Sequence, residues 1–276
     1  MKAIAYAKIN LALHLRRRRK DGYHDLETVF AFVDAGDLLS VKTGQAEDRI
    51  EVVGEFAGAL AGAPVGDNIL AAALNAFPRP GANGPDGWHV TLEKNLPVAA
   101  GLGGGSADAG ALIRLICETY GWPDDWRERA AKLGADVPAC VISQTCVGTG
   151  TGTDLTVVES DLTGMSVLLV NPRKPLSTGP VFKAWNGIDR GPLPKGSVRE
   201  QAVAGRNDME AGARTLVPEI AGVIGALKGT RPWLARMSGS GASCFAIYDG
   251  EDQRDAAAAE IAASHPEWWQ MTGKLL

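Results

Sequence analysis

No stretch of the sequence stays apolar for the roughly 18 residues that a bilayer span needs, so a membrane-embedded chain is not expected. Basic charge is not in excess either. Lys and Arg number 28 against 32 Asp and Glu, the formal net charge is −4 and the pI is about 5.6. That balance gives no electrostatic reason to expect nucleic-acid binding. Cysteine is scarce: Cys117, Cys140, Cys146 and Cys244 form no CxxC pair, and no HExxH occurs. A disulfide scaffold and a zinc site are thereby disfavoured, and buried reduced thiols are expected. No repeat with a period of about 20–50 residues is found. A signal peptide is not expected either. Met1 to Leu15 is only mildly apolar, and the basic block Arg16–Lys20 follows it instead of preceding it. The expectation is a mature cytoplasmic start.

What the sequence has is enough apolar material for a sizeable core: 45% of its 276 residues are hydrophobic. Alternation predicts strands over Ala3–Leu15, Leu26–Val33, Leu38–Lys42 and Trp88–Glu93, with a charged turn at Arg16–Tyr23. Asp67 is a candidate cap for a helix over Asn68–Ala76, and Pro78–Gly87 breaks the pattern. Helices are predicted from about Ser106 to Tyr120, ended by Gly121, and from a cap at Asp124 to Gly134. Met165–Val170 reads as a buried strand and Gly187–Ser197 as a loop. Helices follow at Asp208–Ala213 and Pro218–Lys228, then a turn at Ser238–Gly241, a strand at Ser243–Tyr248 and a helix at Glu251–Ala263. Helices and strands mixed without regular βαβ alternation predict an α+β fold. A domain break is expected near residues 148–164, where glycine and threonine are dense.

One segment stands out chemically. Pro97, Val98, Ala99, Ala100, Gly101, Leu102, Gly103, Gly104, Gly105, Ser106 and Ala107 join a strand to a helix. Successive glycines let backbone N–H groups crowd around one anion, and a helix N-terminus adds unpaired donors and a positive dipole end. Ser106 supplies a hydroxyl for a phosphate oxygen or Mg²⁺. The Gly-Lys-Ser/Thr of a Walker A loop is absent. Ser106 occupies the place of the third glycine of a dinucleotide fingerprint, which weakens a nicotinamide-dependent oxidoreductase. Ala107, Ala109, Gly110 and Ala111 keep the helix slim for close packing on its sheet.

Three further features are open in isolation. Lys8 and Asn10 share one face of a strand, as functional groups or as a solvated face. Asp136 precedes Val137-Pro138, where a helix N-terminus favours a carboxylate, as a proton acceptor or as a simple cap. Ser238–Ser243 is a second small-residue turn that could equally be any hairpin connection.

Taken together, Ala7–Leu11, Pro97–Ser106 and Met237–Ser243 resemble the three motifs of the GHMP kinase family, in order and over almost the whole chain. Asp21-Gly22-Tyr23-His24, Gly134–Pro138 and Asn207-Asp208 narrow the resemblance. They point to members that phosphorylate the 2-hydroxyl of a cytidine-diphosphate-linked methylerythritol, on the non-mevalonate route to isoprenoid precursors. The resemblance implies two α+β domains, residues 1–152 and 153–276, with the active site in the interdomain cleft. It implies ATP on Pro97–Ala107 and Mg²⁺ bridging the phosphates with few protein ligands. Asp136 then accepts the hydroxyl proton, and Lys8 orients the hydroxyl and favours that carboxylate. Tyr23 stacks on the cytosine, His24 bonds its edge, and Asn10 and Thr178 contact substrate. The implied partners are small molecules alone, with no nucleic acid, membrane or obligate protein partner. In relatives the loop usually continues Ser-Ser-Asn-Ala-Ala. Here Ala107 removes a second hydroxyl and Asp108 places a negative charge one turn along. The run Arg16–Lys20 either attracts the anionic substrate or is a solvated loop. Two rivals remain: a mevalonate- or homoserine-type kinase, which has no cytosine to bind, and a nucleotide-binding protein that has lost activity.

Overall fold

The computed structural model describes residues 1–60, 68–79 and 87–276. The proposed cap Asp67 lies outside them, as does most of the break at 78–87. The chain forms two compact units that interleave in sequence. The first takes Met1–Ala7, Gly36–Val98 and Gly103–Ile142; the second takes Lys8–Ala35, Ala99–Leu102 and Ser143–Leu276. Two long strands, β1 (Lys2–Arg18) and β2 (His24–Gln45), pair with each other and run through both units.

In the first unit, β4 (Gly87–Glu93) pairs antiparallel with the later part of β2 and parallel with β3 (Arg49–Val53). The period-2 pattern of β4 buries Trp88, Val90 and Leu92 on one side. Four helices accompany this sheet: α1 (Ile69–Ala76), α2 (Gly104–Tyr120), α3 (Trp126–Leu133) and α4 (Val137–Ile142). Asn68 caps α1, accepting from the Leu70 N–H at 2.9 Å. Asp125, not Asp124, occupies the cap position of α3, and its carboxylate accepts from Arg129 Nε at 2.7 Å. Gly110 of α2 lies against the backbone of Cys140, which a Cβ would approach to 2.7 Å. At Gly110 the slim face of α2 thus admits α4.

In the second unit, β5 (Cys146–Thr149) pairs antiparallel with the early part of β2 and with β6 (Asp154–Val157). A second, wholly antiparallel sheet has the order β10-β7-β9-β8, from β7 (Ser166–Asn171), β8 (Leu234–Met237), β9 (Cys244–Tyr248) and β10 (Trp269–Lys274). With it go α5 (Thr178–Ala184), α6 (Val198–Ala204), α7 (Glu210–Leu216), α8 (Glu219–Gly229) and α9 (Glu251–Ser264). Leu168, Val170, Ala246 and Tyr248 of the sheet meet Ile220, Ile224 and Leu227 of α8 and Ile261 of α9 in one apolar core. The α+β expectation holds, and the four cysteines are buried and in no disulfide. Among the described residues, no helix is long and apolar enough to cross a membrane.

Candidate active site

In the first unit, the glycine-rich segment ends by starting α2. Gly103, at φ +65°, is the N-cap, and α2 begins at Gly104, two residues before the expected Ser106. A glycine cap carries no side chain to satisfy the first-turn N–H groups, and α2 has no side-chain cap hydrogen bond. A Cβ on Gly105 would meet nothing closer than Ile69 Cγ2 at 4.0 Å. Gly104 differs, because a Cβ there would stand 3.1 Å from Lys94 Nζ. Lys94 is buried between two carboxylates, Asp37 and Asp108, the latter at 2.7 Å. Asp37 also accepts from the N–H groups of Asn95 at 2.6 Å and Leu96 at 2.7 Å, where the loop begins. Burial, then the Asp37 charge, pushes the Asp108 carboxyl up to about 8 against the opposing pull of Lys94. The expectation of a negative charge near the phosphates is thus corrected: Asp108 turns inward to this buried cluster.

Asp136 immediately precedes α4 and is half-buried, with its carbonyl accepting from the Cys140 N–H at 3.0 Å. It occupies the cap position, and Pro138 is the second helical residue, not the first.

In the second unit, the alternation of β1 places Lys8 and Asn10 on one face, and both are buried. The solvated-face alternative is excluded. Lys8 Nζ donates to Asn10 Oδ1 at 3.0 Å and lies 4.6 Å above the Phe30 ring. Asn10 Nδ2 donates to Thr28 Oγ1 at 2.8 Å, and the Asn10 N–H donates to Ser238 Oγ at 3.3 Å. Ser238 in turn donates to the Gly101 carbonyl at 2.8 Å. The turn Ser238–Ser243 connects antiparallel β8 and β9, as a hairpin connection should, and it also docks on residues 99–102. Ser243 N–H donates to Ala100 O at 3.0 Å, and a Cβ on Gly101, at φ +77°, would fall 2.3 Å from Ser238 O. Asn207 Nδ2 holds the turn through the carbonyls of Met237 and Gly239, each at 2.8 Å. Thr178, the first residue of α5, shares a hydrogen bond with Ser240 at 3.0 Å.

Tyr23 is 63% exposed at the tip of the β1–β2 turn. His24 is half-buried, its ring stacked on Phe182 at 4.7 Å and edge-on to Trp185 at 5.7 Å. Its Nε2 is buried without a hydrogen-bond partner. Burial, then the Arg18 charge, lowers the imidazole pKa. Phe182 and Trp185 escaped the sequence analysis. The signal was present, since Phe182 lies four residues after Thr178 on one helix face. Ser238, Asn207 and the Lys94 cluster are further site neighbours whose roles needed the structure. Among the described residues, no group of three or more His, Cys, Asp or Glu could hold a metal ion.

The chain matches the family model for the GHMP kinases N terminal domain over residues 48–144 and that for GHMP kinases C terminal over residues 196–267. It is 60% identical over 275 residues to 4-diphosphocytidyl-2-C-methyl-D-erythritol kinase of Erythrobacter litoralis (strain HTCC2594), covering 98% of each chain. It is also 60% identical over 275 residues to the enzyme of that name in Novosphingobium aromaticivorans, covering 100% of this chain and 93% of the other. A crystal structure of 4-(cytidine 5'-diphospho)-2C-methyl-D-erythritol kinase superposes with a TM-score of 0.81 at 29% identity, covering 100% of this chain and 99% of that one. Homoserine kinase from Cytophaga hutchinsonii shares the fold, with a TM-score of 0.69 at 16% identity over 100% of this chain and 97% of that one. With this identity sustained end to end, the chain belongs to the GHMP kinase family, among its 4-diphosphocytidyl-2-C-methyl-D-erythritol kinases.

Proposed function

We propose that this kinase transfers the γ-phosphate of ATP to the 2-hydroxyl of 4-diphosphocytidyl-2-C-methyl-D-erythritol, in the cytoplasm, as a step of isoprenoid precursor synthesis. Residues 1–152 form its N-terminal family half and residues 153–276 its C-terminal half. One observation carries the reading. The buried Lys8–Asn10 pair, assigned to the acceptor hydroxyl, is joined through Ser238 to Gly101, which is assigned to the phosphates. A network of this kind keeps acceptor groups and the phosphate loop in fixed register, and phosphoryl transfer depends mostly on positioning and charge neutralisation.

Residues 97–107 cradle the triphosphate with backbone N–H groups. Mg²⁺ enters as part of the MgATP substrate, an ion that phosphates and water hold with few protein ligands. Asp136 takes the hydroxyl proton as the oxygen attacks, and Lys8 orients that oxygen. Tyr23 stacks on the cytosine and His24, kept neutral by burial, bonds the base edge. Asn10 and Thr178 line the rest of the acceptor. The Tyr23–His24 pair favours this substrate over mevalonate or homoserine, which present no base.

The test is ADP release with the cytidine substrate and MgATP, in the parent and in Asp136→Asn. Near-complete loss of turnover with little change in ATP affinity is expected. Turnover within about threefold of the parent, under ~0.7 kcal/mol of barrier, overturns the assignment of the base.

A further inference from the structure

The basic run Arg16–Lys20 takes no part in the mechanism above, yet it runs directly into Tyr23 and His24. Part of its charge is committed locally, and Arg16 pairs with Glu27 at 2.6 Å and Asp189 at 3.0 Å. Arg17 pairs with Asp25, and Arg19 pairs with Asp21 at 3.0 Å and with Asp25 at 3.2 Å. The Arg19 N–H also donates to the Tyr23 carbonyl at 2.8 Å. The contacts of Arg17 and Arg19 stay within the turn. Arg18 reaches out of it. Its guanidinium donates to the carbonyls of Lys183, at 3.2 Å, and of Trp185, and lies 5.8 Å from the Trp185 ring. Those carbonyls belong to the C-terminal end of α5, where a helix leaves acceptors unpaired and its dipole favours a cation.

The same end of α5 carries Phe182 and Trp185, the two rings that hold His24. Both His24 Nε2 and Trp185 Nε1 are buried there without partners, so small shifts of α5 alter which edge of the imidazole is exposed. We propose that Arg18 is a positioning residue for base recognition, fixing the C-terminal end of α5, with Phe182 and Trp185, against His24. The proposal rests on the assignment of Tyr23 and His24 to the cytosine.

A second effect follows from the same placement. The charge that acts on the imidazole is that of Arg18 on β1; Asp25 of β2 follows His24 in the chain, and Lys183 of α5 follows Phe182. Asp25 is neutralised by Arg17 and Arg19, and it is the Arg18 charge that adds to burial in lowering the His24 pKa. Arg18 therefore helps to keep an acceptor nitrogen on the ring at neutral pH. Both carbonyls accept from the same Nη2; lysine at this position retains the charge but lacks the planar guanidinium that lies beside the Trp185 ring.

The experiment compares Arg18→Met and Arg18→Lys with the parent. KM for the cytidine substrate, KM for MgATP and kcat are measured, and His24 is titrated by NMR without substrate. Both variants are expected to raise the cytidine KM roughly fivefold or more, the scale of losing a charged hydrogen bond, with MgATP KM and kcat within about twofold. The His24 midpoint is expected to rise in Arg18→Met and to stay low in Arg18→Lys. An unchanged cytidine KM in Arg18→Met, or equal rises in both KM values, overturns the positioning role. Failure of the parent to phosphorylate the cytidine substrate instead overturns the proposed function, and the His24 titration still reports on Arg18.

Discussion

Replacing Lys94 by methionine keeps the volume of a buried side chain and removes one charge from a cluster of three. The consequences are unequal for the two carboxylates. Asp37 keeps the N–H groups of Asn95 and Leu96, at 2.6 and 2.7 Å. Asp108 has Lys94 on Oδ2, at 2.7 Å, while its Oδ1 is buried with no hydrogen-bond partner. Breaking a buried ion pair by removing one member typically costs about 3–5 kcal/mol, a large share of a domain's total of about 5–15. The cost depends on pH with a definite sign. Because burial raises Asp108 to about 8, its contribution to stability is full below the ordinary carboxylate value and is lost as pH rises through about 8. Below that range Asp108 is protonated and Lys94 serves Asp37 alone; above it Lys94 also compensates the Asp108 charge. The difference between parent and variant should therefore widen from pH 6 to pH 9. Amide hydrogen exchange along Gly104–Tyr120 reports opening of the first unit by itself. At alkaline pH the variant should exchange roughly two to four orders of magnitude faster. Adding Asp108→Leu should recover much of the loss, since an apolar replacement of the stranded charge is often neutral or better. Exchange within about tenfold of the parent at every pH refutes the reasoning. A double variant no slower than the single one shows that Asp108 is not the stranded group.

The phosphate loop is tested better at Gly105 than at Gly104, where a side chain would strike Lys94 before it met a ligand. Gly105→Ala has open space around its Cβ and suits a helix, so folding should survive while MgATP affinity falls roughly tenfold or more. Unchanged affinity in a nucleotide titration removes the loop from the phosphate site. At the other end of the reaction, Tyr23→Ala takes an exposed ring from a turn and should leave stability intact. The KM for the cytidine substrate should rise roughly tenfold, the scale of one lost base-stacking contact, with ATP binding unaltered. Equal changes in both constants point to general misfolding, and no change in either places the cytosine elsewhere.

Which features were legible in the sequence follows from how locally each is determined. The strand at 87–93, the helix ended by Gly121 and the glycine loop all announce themselves through residues within a few positions of one another. Lys8 and Asn10 were legible as a pair because strand periodicity alone puts them on one face. Their burial was not, since it depends on Thr28 and Ser238, far along the chain. Gly36 misled in the opposite direction. It lies between the strands expected over Leu26–Val33 and Leu38–Lys42, but β2 is continuous there, and the glycine is needed because a Cβ would lie 1.9 Å from the Ala5 carbonyl. Close approach of backbones and a turn require the same residue, and only the partner strand distinguishes them. Some local signals were passed over. Ser197 and Glu200 form a capping box that starts α6 at the edge of what read as a loop, and Thr178-Gly179-Pro180 opens α5 despite its breakers.

The Asp37–Lys94–Asp108 cluster is different in kind. Its members lie on β2, beyond β4 and on α2, and each looks unexceptional in its own segment. Asp108 even read as a departure that put a negative charge beside the phosphates. The structure reverses that inference through one fact that sequence spacing cannot supply, the direction in which α2 faces its sheet. Once Gly104 must lie against Lys94, the residue four positions on is carried to the same ammonium. The glycine that leaves the backbone bare for an anion thus also admits the lysine beneath it. Both ends of the loop are then tied to one buried charge, Asn95 and Leu96 through Asp37 and the first turns of α2 through Asp108. A phosphate cradle made of backbone N–H groups is only as well ordered as the anchors at its two ends, so under the proposed function these three side chains support the site although none need touch the nucleotide.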